Sequence, residues 1–257
     1  MYIIRTMRSR SVRAAAGLLL LSSIACSGLP LGRQYEYEEQ LYLDVDGSAV
    51  VVVDSSIAAL VALRGVPLDP SPTARTDRGE IRRALEAVGC TVDTVGQGWR
   101  RRTRRFVQFR ISTTDVRTLS KCGLLSWSTY ALDATETVLH YRQTVGAPTP
   151  GEPGQVNWDG SEIVAFKLHL PSRVFDHNVR RLEDNAPGGL ERGNILTWEQ
   201  RFADRRAGMP ITIDVKMDPT SILYTTLWLF AGAFGAAVLM LGGVVWWVKT
   251  KASRHPR

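Results

Sequence analysis

YEYEEQLYLDVDGSAVVVV, Tyr35 to Val53, is the stretch on which the fold turns. In it Tyr35, Tyr37, Leu41, Leu43 and Val45 alternate with Glu36, Glu38, Gln40, Tyr42 and Asp44. A period of two places one set of side chains on each face of an extended chain, which predicts a half-buried strand. Asp46-Gly47 follows, a pair that adopts the backbone of a tight hairpin turn at little cost. Ala49 to Val53, β-branched apart from its first residue, then reads as the return strand.

The segments that follow read as short elements with clear punctuation. Ser55 or Ser56 is placed to cap a helix that runs through Leu63 and stops at Gly65, and Pro67, Pro70 and Pro72 break the chain after it. Asp77 and Glu80 form a capping-box-like pair ahead of a second helix, with Ile81, Leu85 and Val88 on one face and Gly89 as its stop. Strands are expected at Thr91–Val95 and Arg102–Ile111, a short helix at Asp115–Lys121, and a second hairpin from Ser126–Leu132 into Thr135–Val145. The Pro- and Gly-rich run GAPTPGEPGQVNWDG, residues 146–160, is either a long loop within one domain or an internal boundary. Beyond it come a strand at Ile163–Leu170, a short polar helix near Phe175–Leu182, and strands at Ile195–Phe202 and Ile211–Met217. Strands and helices intermingle without a regular βαβ period, which predicts an α+β domain with a largely antiparallel sheet and two or three short packed helices.

The C-terminal end follows a different solvent. Residues 221–248 include ILYTTLWLFAGAFGAAVLMLGGVVWWV, Ile222 to Val248, without one charged side chain. Roughly twenty apolar residues cross a hydrocarbon core about 30 Å thick, so this run is expected to be a transmembrane helix with length to spare for tilt. Tyr224 and Trp228 near one end and Trp246 and Trp247 at the other suit the headgroup level, and Lys249, Lys251, Arg254 and Arg257 predict that residues 249–257 are a cytoplasmic tail. Ala231, Gly232, Gly235 and Ala236 have the small-residue spacing of helix pairing, a spacing also common in unpaired membrane helices.

At the other end, Arg5, Arg8, Arg10 and Arg13 precede a short apolar run, Ala14 to Leu21, and then small residues. This is the layout of a secretory signal peptide, expected over residues 1–25. SSIAC resembles the lipobox of bacterial lipoproteins, in which the cysteine, here Cys26, becomes the lipidated first residue of the mature chain. Ser23 stands where that motif carries Leu, so lipidation and ordinary cleavage nearby both remain open. Residues 26–220 are then an extracytoplasmic domain, leaving the protein single-pass in the cytoplasmic membrane.

The chain carries a net charge of +7, but the excess is not spread evenly. Of its 32 Lys and Arg, four precede Cys26 and four follow Val248, whereas all 25 Asp and Glu lie between, leaving the middle at −1. The basicity therefore belongs to the topology signals, and nucleic acid is not an expected partner. Cys90 and Cys122 are the two cysteines of that middle region, and an exported domain would permit them to pair. Pairing would close a loop worth roughly 3–4 kcal/mol in the chain-entropy estimate, with buried free thiols as the alternative. Two separated cysteines without a neighbouring His form no zinc pattern, and no metal or cofactor is expected.

The most conspicuous local feature is WRRRTRRFVQFR, in which Arg100, Arg101, Arg102, Arg104 and Arg105 crowd together ahead of Phe106. Guanidinium groups bind phosphate bidentately, so these five would suit an anionic headgroup or an acidic partner; alternatively they pair with the domain's own acids. No nucleophile elbow, Walker loop, dinucleotide fingerprint or HExxH sequence is present, and no catalytic residue is assigned. His140 and His169 fall on expected strands, and His177 lies in FDHNVRRLED beside Asp176, where a solvated face is the simpler role.

The lipobox-like cysteine, the strand leading into VDGSAVVVV, the late stretch GNILTWEQRF, and ITIDVKM ahead of the terminal helix together resemble the LppM-type family of bacterial envelope lipoproteins. The similarity covers the first hairpin and the final third, while Pro67 to Val145 has no counterpart. It implies a β-rich extracytoplasmic domain with helices packed on it and an apolar cavity for lipid, and it transfers no catalytic residue. Three functions remain in view: a non-catalytic binding module for lipid or an envelope partner, a structural or assembly subunit of a membrane complex, and an unrecognised hydrolase.

Overall fold

The computed structural model describes residues 33–101, 103–153 and 156–252. The expected signal segment at 1–25, Cys26, Arg102 and the end of the basic tail lie outside the described residues. β1 (Tyr37–Leu43) and β2 (Ala49–Ser56) pair antiparallel from Tyr37 opposite Ser55 to Leu43 opposite Ala49. Gly47 closes the turn at φ 87°, which a side chain would resist. Ser56 ends β2 and caps α1 (Ile57–Arg64), its hydroxyl accepting from Ala59 N at 3.0 Å, and Gly65 terminates the helix in the left-handed region. All eight residues of α1 are buried, so it is an internal helix and not an amphipathic surface one. Asp77 caps α2 (Arg78–Ala87) by accepting from Gly79 N and Glu80 N, and Ile81, Ala84 and Leu85 form its buried stripe.

Two short strands, β3 (Thr94–Val95) and β4 (Trp99–Arg101), both pair with β5 (Arg104–Thr113), the longest strand. A 3₁₀ turn, Val116–Lys121, leads to the hairpin of β6 (Ser128–Ala134) and β7 (Leu139–Val145). The connection after β7 crosses to the other sheet, and on the way Thr149 N and Gly151 N donate to the carbonyls of Leu63 and Val61 in α1. Then come β8 (Ile163–His169), β9 (Val174–His177), β10 (Ile195–Arg201), the short α3 (Phe202–Arg206), β11 (Ile211–Met217) and the long α4 (Ile222–Ala252).

The strands form two sheets. Sheet A has the order β10-β8-β1-β2-β5-β3, with β4 also on β5, and sheet B the order β6-β7-β11-β9. Every pairing is antiparallel except β1 with β8, so the domain is α+β with largely antiparallel sheets. One hydrophobic core draws on both: Leu41, Val51, Phe109, Phe166 and Leu196 from sheet A meet Leu139, Tyr141, Ile213 and Val215 from sheet B.

The polar helix expected at Phe175–Leu182 is not formed. Val174–His177 is instead the edge strand β9, paired with β11, and Asn178 locks it there: its Oδ1 accepts from Asp214 N at 3.1 Å and from Trp198 Nε1 at 3.0 Å. A chain whose amides are taken up by a neighbouring strand has none left for helical bonds, and that partner lies about forty residues on. The segment after Arg201 also turns into α3, where an unbroken strand to Phe202 was expected.

α4 is long and apolar enough to cross a membrane, and from Ile222 to Trp247 its mean hydropathy is 2.0 with none of the span buried. Its root is tied to the domain. Ile222 N donates to the Pro171 carbonyl at 2.9 Å, Asp218 N to the Arg173 carbonyl at 2.9 Å, and the Ser221 hydroxyl caps Leu223 N at 3.2 Å.

Candidate functional site

The strand register gives the domain two ends. β11 runs from Ile211 to Met217 and straight on to the root of α4, and β8 ends at the same level, since Pro171 bonds to Ile222. Leu43, Ala49 and Thr113 stand in neighbouring registers of β1, β2 and β5, near the end of β8. Arg104 opens β5 nine residues before Thr113, and at roughly 3.3 Å per residue it lies ~30 Å along the sheet, toward the far end.

At that far end the arginine-rich stretch is engaged with its own domain. Arg104 bonds Glu36 Oε2 at 2.9 Å and Glu162 Oε1 at 3.1 Å. Glu36 also accepts from the Ser56 hydroxyl at 2.5 Å and Trp158 Nε1 at 3.2 Å, and Glu162 from the backbone amides of Asp159 and Gly160. Arg105 is buried and donates to the carbonyls of Asp69, Ser71 and Arg75, which pins the proline-rich loop. Arg100 reaches the carbonyls of Pro72 and Ala74, while Arg101 reaches that of Tyr35 and lies over the Phe106 ring at 4.1 Å. The structure thus brings Arg100, Arg101, Arg104 and Arg105 to one end of sheet A, and there Arg104 is bonded to two carboxylates.

Near the helix root the outer face of sheet A carries a cleft of about 390 Å³. It arises from strand alternation: Tyr42, Val50 and Ser112 point outward in one register across β1, β2 and β5, and His169 joins them from β8. Leu43, Ala49, Leu170 and Pro171 supply apolar surface around them. Tyr42 and His169 stack with ring centroids 3.9 Å apart and planes 17° off parallel, leaving the Tyr42 ring partly exposed.

The polar side chains of the cleft are largely satisfied from within. His169 Nε2 and the Tyr42 hydroxyl both meet Gln40 Oε1, at 3.0 and 3.1 Å. The hydroxyls of Ser48, Ser112 and Thr113 donate to the Asp46 carboxylate, the Asp93 carboxylate and the Asp115 carbonyl. Burial, and then the Lys167 charge, push the His169 imidazole below its ordinary value, so it is neutral at neutral pH. No described hydroxyl of the cleft bonds His169, and what the cleft presents is shape, aromatic surface and apolar contact.

A second polar cluster lies inside the core. Glu39 is 2% exposed, in the inward register between Tyr37 and Leu41. The Tyr37 hydroxyl donates to it at 3.1 Å, while the Tyr130 hydroxyl and Gln143 Nε2 stand at 3.5 Å. Burial raises its carboxyl above the usual range, opposed by the Tyr37 hydroxyl and by Arg64. The same burial holds the phenols of Tyr37, Tyr130 and Tyr141 well above theirs. The alternation of Tyr37, Glu39 and Leu41 is the one signal in the sequence that an acid occupies a buried register.

Cys90 and Cys122 are joined, their Cα atoms 4.4 Å apart, which fastens the end of α2 to the end of the 3₁₀ turn. His140 Nε2 lies 3.0 Å from Asp214 Oδ1, across the β7–β11 pair, and His177 sits in β9. Among the described residues no three His, Cys, Asp or Glu side chains gather as a metal site.

No protein-family model matches the chain, and no curated protein matches it. Among solved structures, the NMR structure of the folded domain of LppM from Mycobacterium tuberculosis aligns with 76% of this chain and 98% of its own, at 11% identity and a TM-score of 0.39. The chain is therefore similar to that domain only weakly, at the level of fold.

Proposed function

We propose that this protein is a single-pass membrane module that binds an amphiphile, a lipid above all, in the cleft beside its helix root. The observation that carries the proposal is the double role of Pro171, which lines the cleft and also accepts the hydrogen bond that begins α4. With α4 across a bilayer, a four-residue stem, Asp218 to Ser221, holds the cleft at the membrane surface, where an amphiphile is already concentrated. A volume of about 390 Å³ falls at the lower end of roughly 300–1,000 Å³ for small-ligand sites, enough for a headgroup or part of an acyl chain.

The basic residues after Val248 support an orientation with the tail in the cytoplasm and the folded domain outside. The signal-like N-terminus supports the same orientation in a bacterial cytoplasmic membrane, with Cys26 as the first residue of a lipoprotein if the lipobox-like sequence is used. The cleft is non-catalytic in this proposal, because its hydroxyls are bonded to Asp46, Asp93 and the Asp115 carbonyl and its imidazole to Gln40.

Photo-crosslinking tests this directly. The full chain, reconstituted in vesicles doped with a lipid bearing a photoreactive group near its headgroup, should yield crosslinked peptides containing Tyr42–Val50 and His169–Pro171. Crosslinks confined to α4 would refute the cleft as a lipid site.

A further inference from the structure

Arg64 and Arg205 are among the most deeply buried arginines, at 4% and 0% exposure. Arg105, comparably buried, spends its donors on backbone carbonyls. Arg64 and Arg205 place only part of theirs. Arg64 donates from Nε to the Leu124 carbonyl at 2.6 Å and from Nη2 to the Gly123 carbonyl at 2.6 Å and the Ser126 hydroxyl at 3.2 Å, which leaves Nη1 without an acceptor. Arg205 donates from Nη2 to the Gly146 carbonyl at 2.5 Å, and its Nε and Nη1 have none.

The two guanidinium groups converge on one indole. Their central carbons lie 4.6 and 5.2 Å from the Trp127 ring centroid, and the Trp127 side chain, 6% exposed, turns its indole N–H toward Glu39 without closing a full hydrogen bond. Neither arginine forms an ion pair among those described. The nearby acid is Glu39, which is bonded to Tyr37, lies in the field of Arg64, and is also approached by the Trp127 indole N–H, which favours its charged form. Two positive charges and three guanidinium nitrogens without acceptors thus stand in the core, with Glu39 as the counter-charge nearby.

Buried polar groups are almost always hydrogen-bonded, and an uncompensated buried charge is among the costliest features a fold can keep. The free groups here are all donors, because neither guanidinium nor indole N–H can accept. A matching occupant is therefore rich in acceptors and negatively charged, which describes an oxyanion.

We propose that Arg64, Arg205 and Trp127 form a binding site for a soluble oxyanion of the phosphate or carboxylate class, beneath the Cys122–Ser126 and Gly146–Pro153 segments. Both segments touch the site, since the carbonyls of Gly123, Leu124 and Gly146 hold the arginines in place. Ser126 is exposed and gives the site a rim, and the disulfide at Cys122 fixes one side of it. Arg64 closes α1, which follows β2 at the end of the sheet away from α4. That position suits a soluble ligand and not a headgroup of the membrane that α4 enters. The site is independent of the cleft, and the two proposals fail separately.

Calorimetric titration of the full chain in detergent tests it, with sodium phosphate and sodium acetate added separately at ionic strength matched by sodium chloride. A saturable one-to-one isotherm with either anion supports the site. Phosphate alone would assign the phosphate class, and acetate alone the carboxylate class. Arg205→Gln should weaken binding at least tenfold, whereas Arg117→Gln, at an exposed ion pair with Asp115, should leave it unchanged. If Arg205→Gln does not fold, the wild-type titration still decides. The absence of a saturable isotherm with both anions, or a melting temperature that responds equally to all three salts, would mean that solvent fills the site and would overturn the proposal.

Discussion

Replacing Arg104 by Gln should destabilise the domain by about 3 kcal/mol, the low end of what removing one partner from a buried ion pair costs. The magnitude follows from its surroundings. Arg104 lies between Glu36 and Glu162, whose side chains are only 4% and 6% exposed, and its own is 13% exposed. Without it two carboxylates remain in a nearly dry site. Each keeps other donors, Ser56 and Trp158 for Glu36 and two backbone amides for Glu162, so the loss stays at the low end. Urea unfolding of the full chain in detergent, followed by fluorescence, should show a midpoint lowered by 1 M or more at a slope of roughly 1–3 kcal/mol per M. The double variant Arg104→Gln/Glu162→Gln should lose less than the sum of the two single changes, because the second substitution removes one stranded charge. A loss below about 0.5 kcal/mol, typical of surface substitutions, would refute the structural role assigned to Arg104.

Two further expectations concern the core. Reducing the Cys90–Cys122 bond, or replacing both cysteines by Ala, removes a crosslink between residues 32 apart, which the chain-entropy relation values at ~3.7 kcal/mol; a chemical-denaturation midpoint that does not change with reduction would contradict this. Glu39 has a folded-state pKa raised by burial, so the unfolded chain gives up its proton first as pH rises. Wild-type stability should therefore fall, relative to Glu39→Gln, from about pH 4, the ordinary carboxyl value, up to the raised value, and run parallel below that window. Denaturation curves of both proteins from pH 3 to 8 would show it, and a gap independent of pH would exclude Glu39 as its source.

The features legible in the sequence are those with local causes. The β1–β2 hairpin follows from strict alternation and Asp46-Gly47, α1 and α2 from their caps at Ser56 and Asp77, and α4 from the length of its apolar run. What escaped depends on partners far along the chain. FDHNVRRLED has the composition of a polar helix, but its first three residues join the edge strand β9 because β11 offers them hydrogen bonds and Asn178 a fastening point. The parallel β1–β8 pair joins strands more than a hundred residues apart, and nothing near Tyr37 announces it. Arg64 and Arg205 look like ordinary helix-end and loop arginines, and their burial is a property of the tertiary packing. The cleft likewise assembles Tyr42, Val50, Ser112 and His169 from four strands.

The most direct test of the proposed lipid site is native mass spectrometry of the full chain extracted in mild detergent, compared with Val50→Trp. Val50 faces outward, and a larger ring there fills the cleft without entering the core. Wild type should retain a bound lipid through detergent removal, Val50→Trp should lose it, and Gln108→Trp, on the same face but farther from the helix root, should keep it. Equal lipid occupancy in all three, or none in wild type, would contradict the cleft as the lipid site.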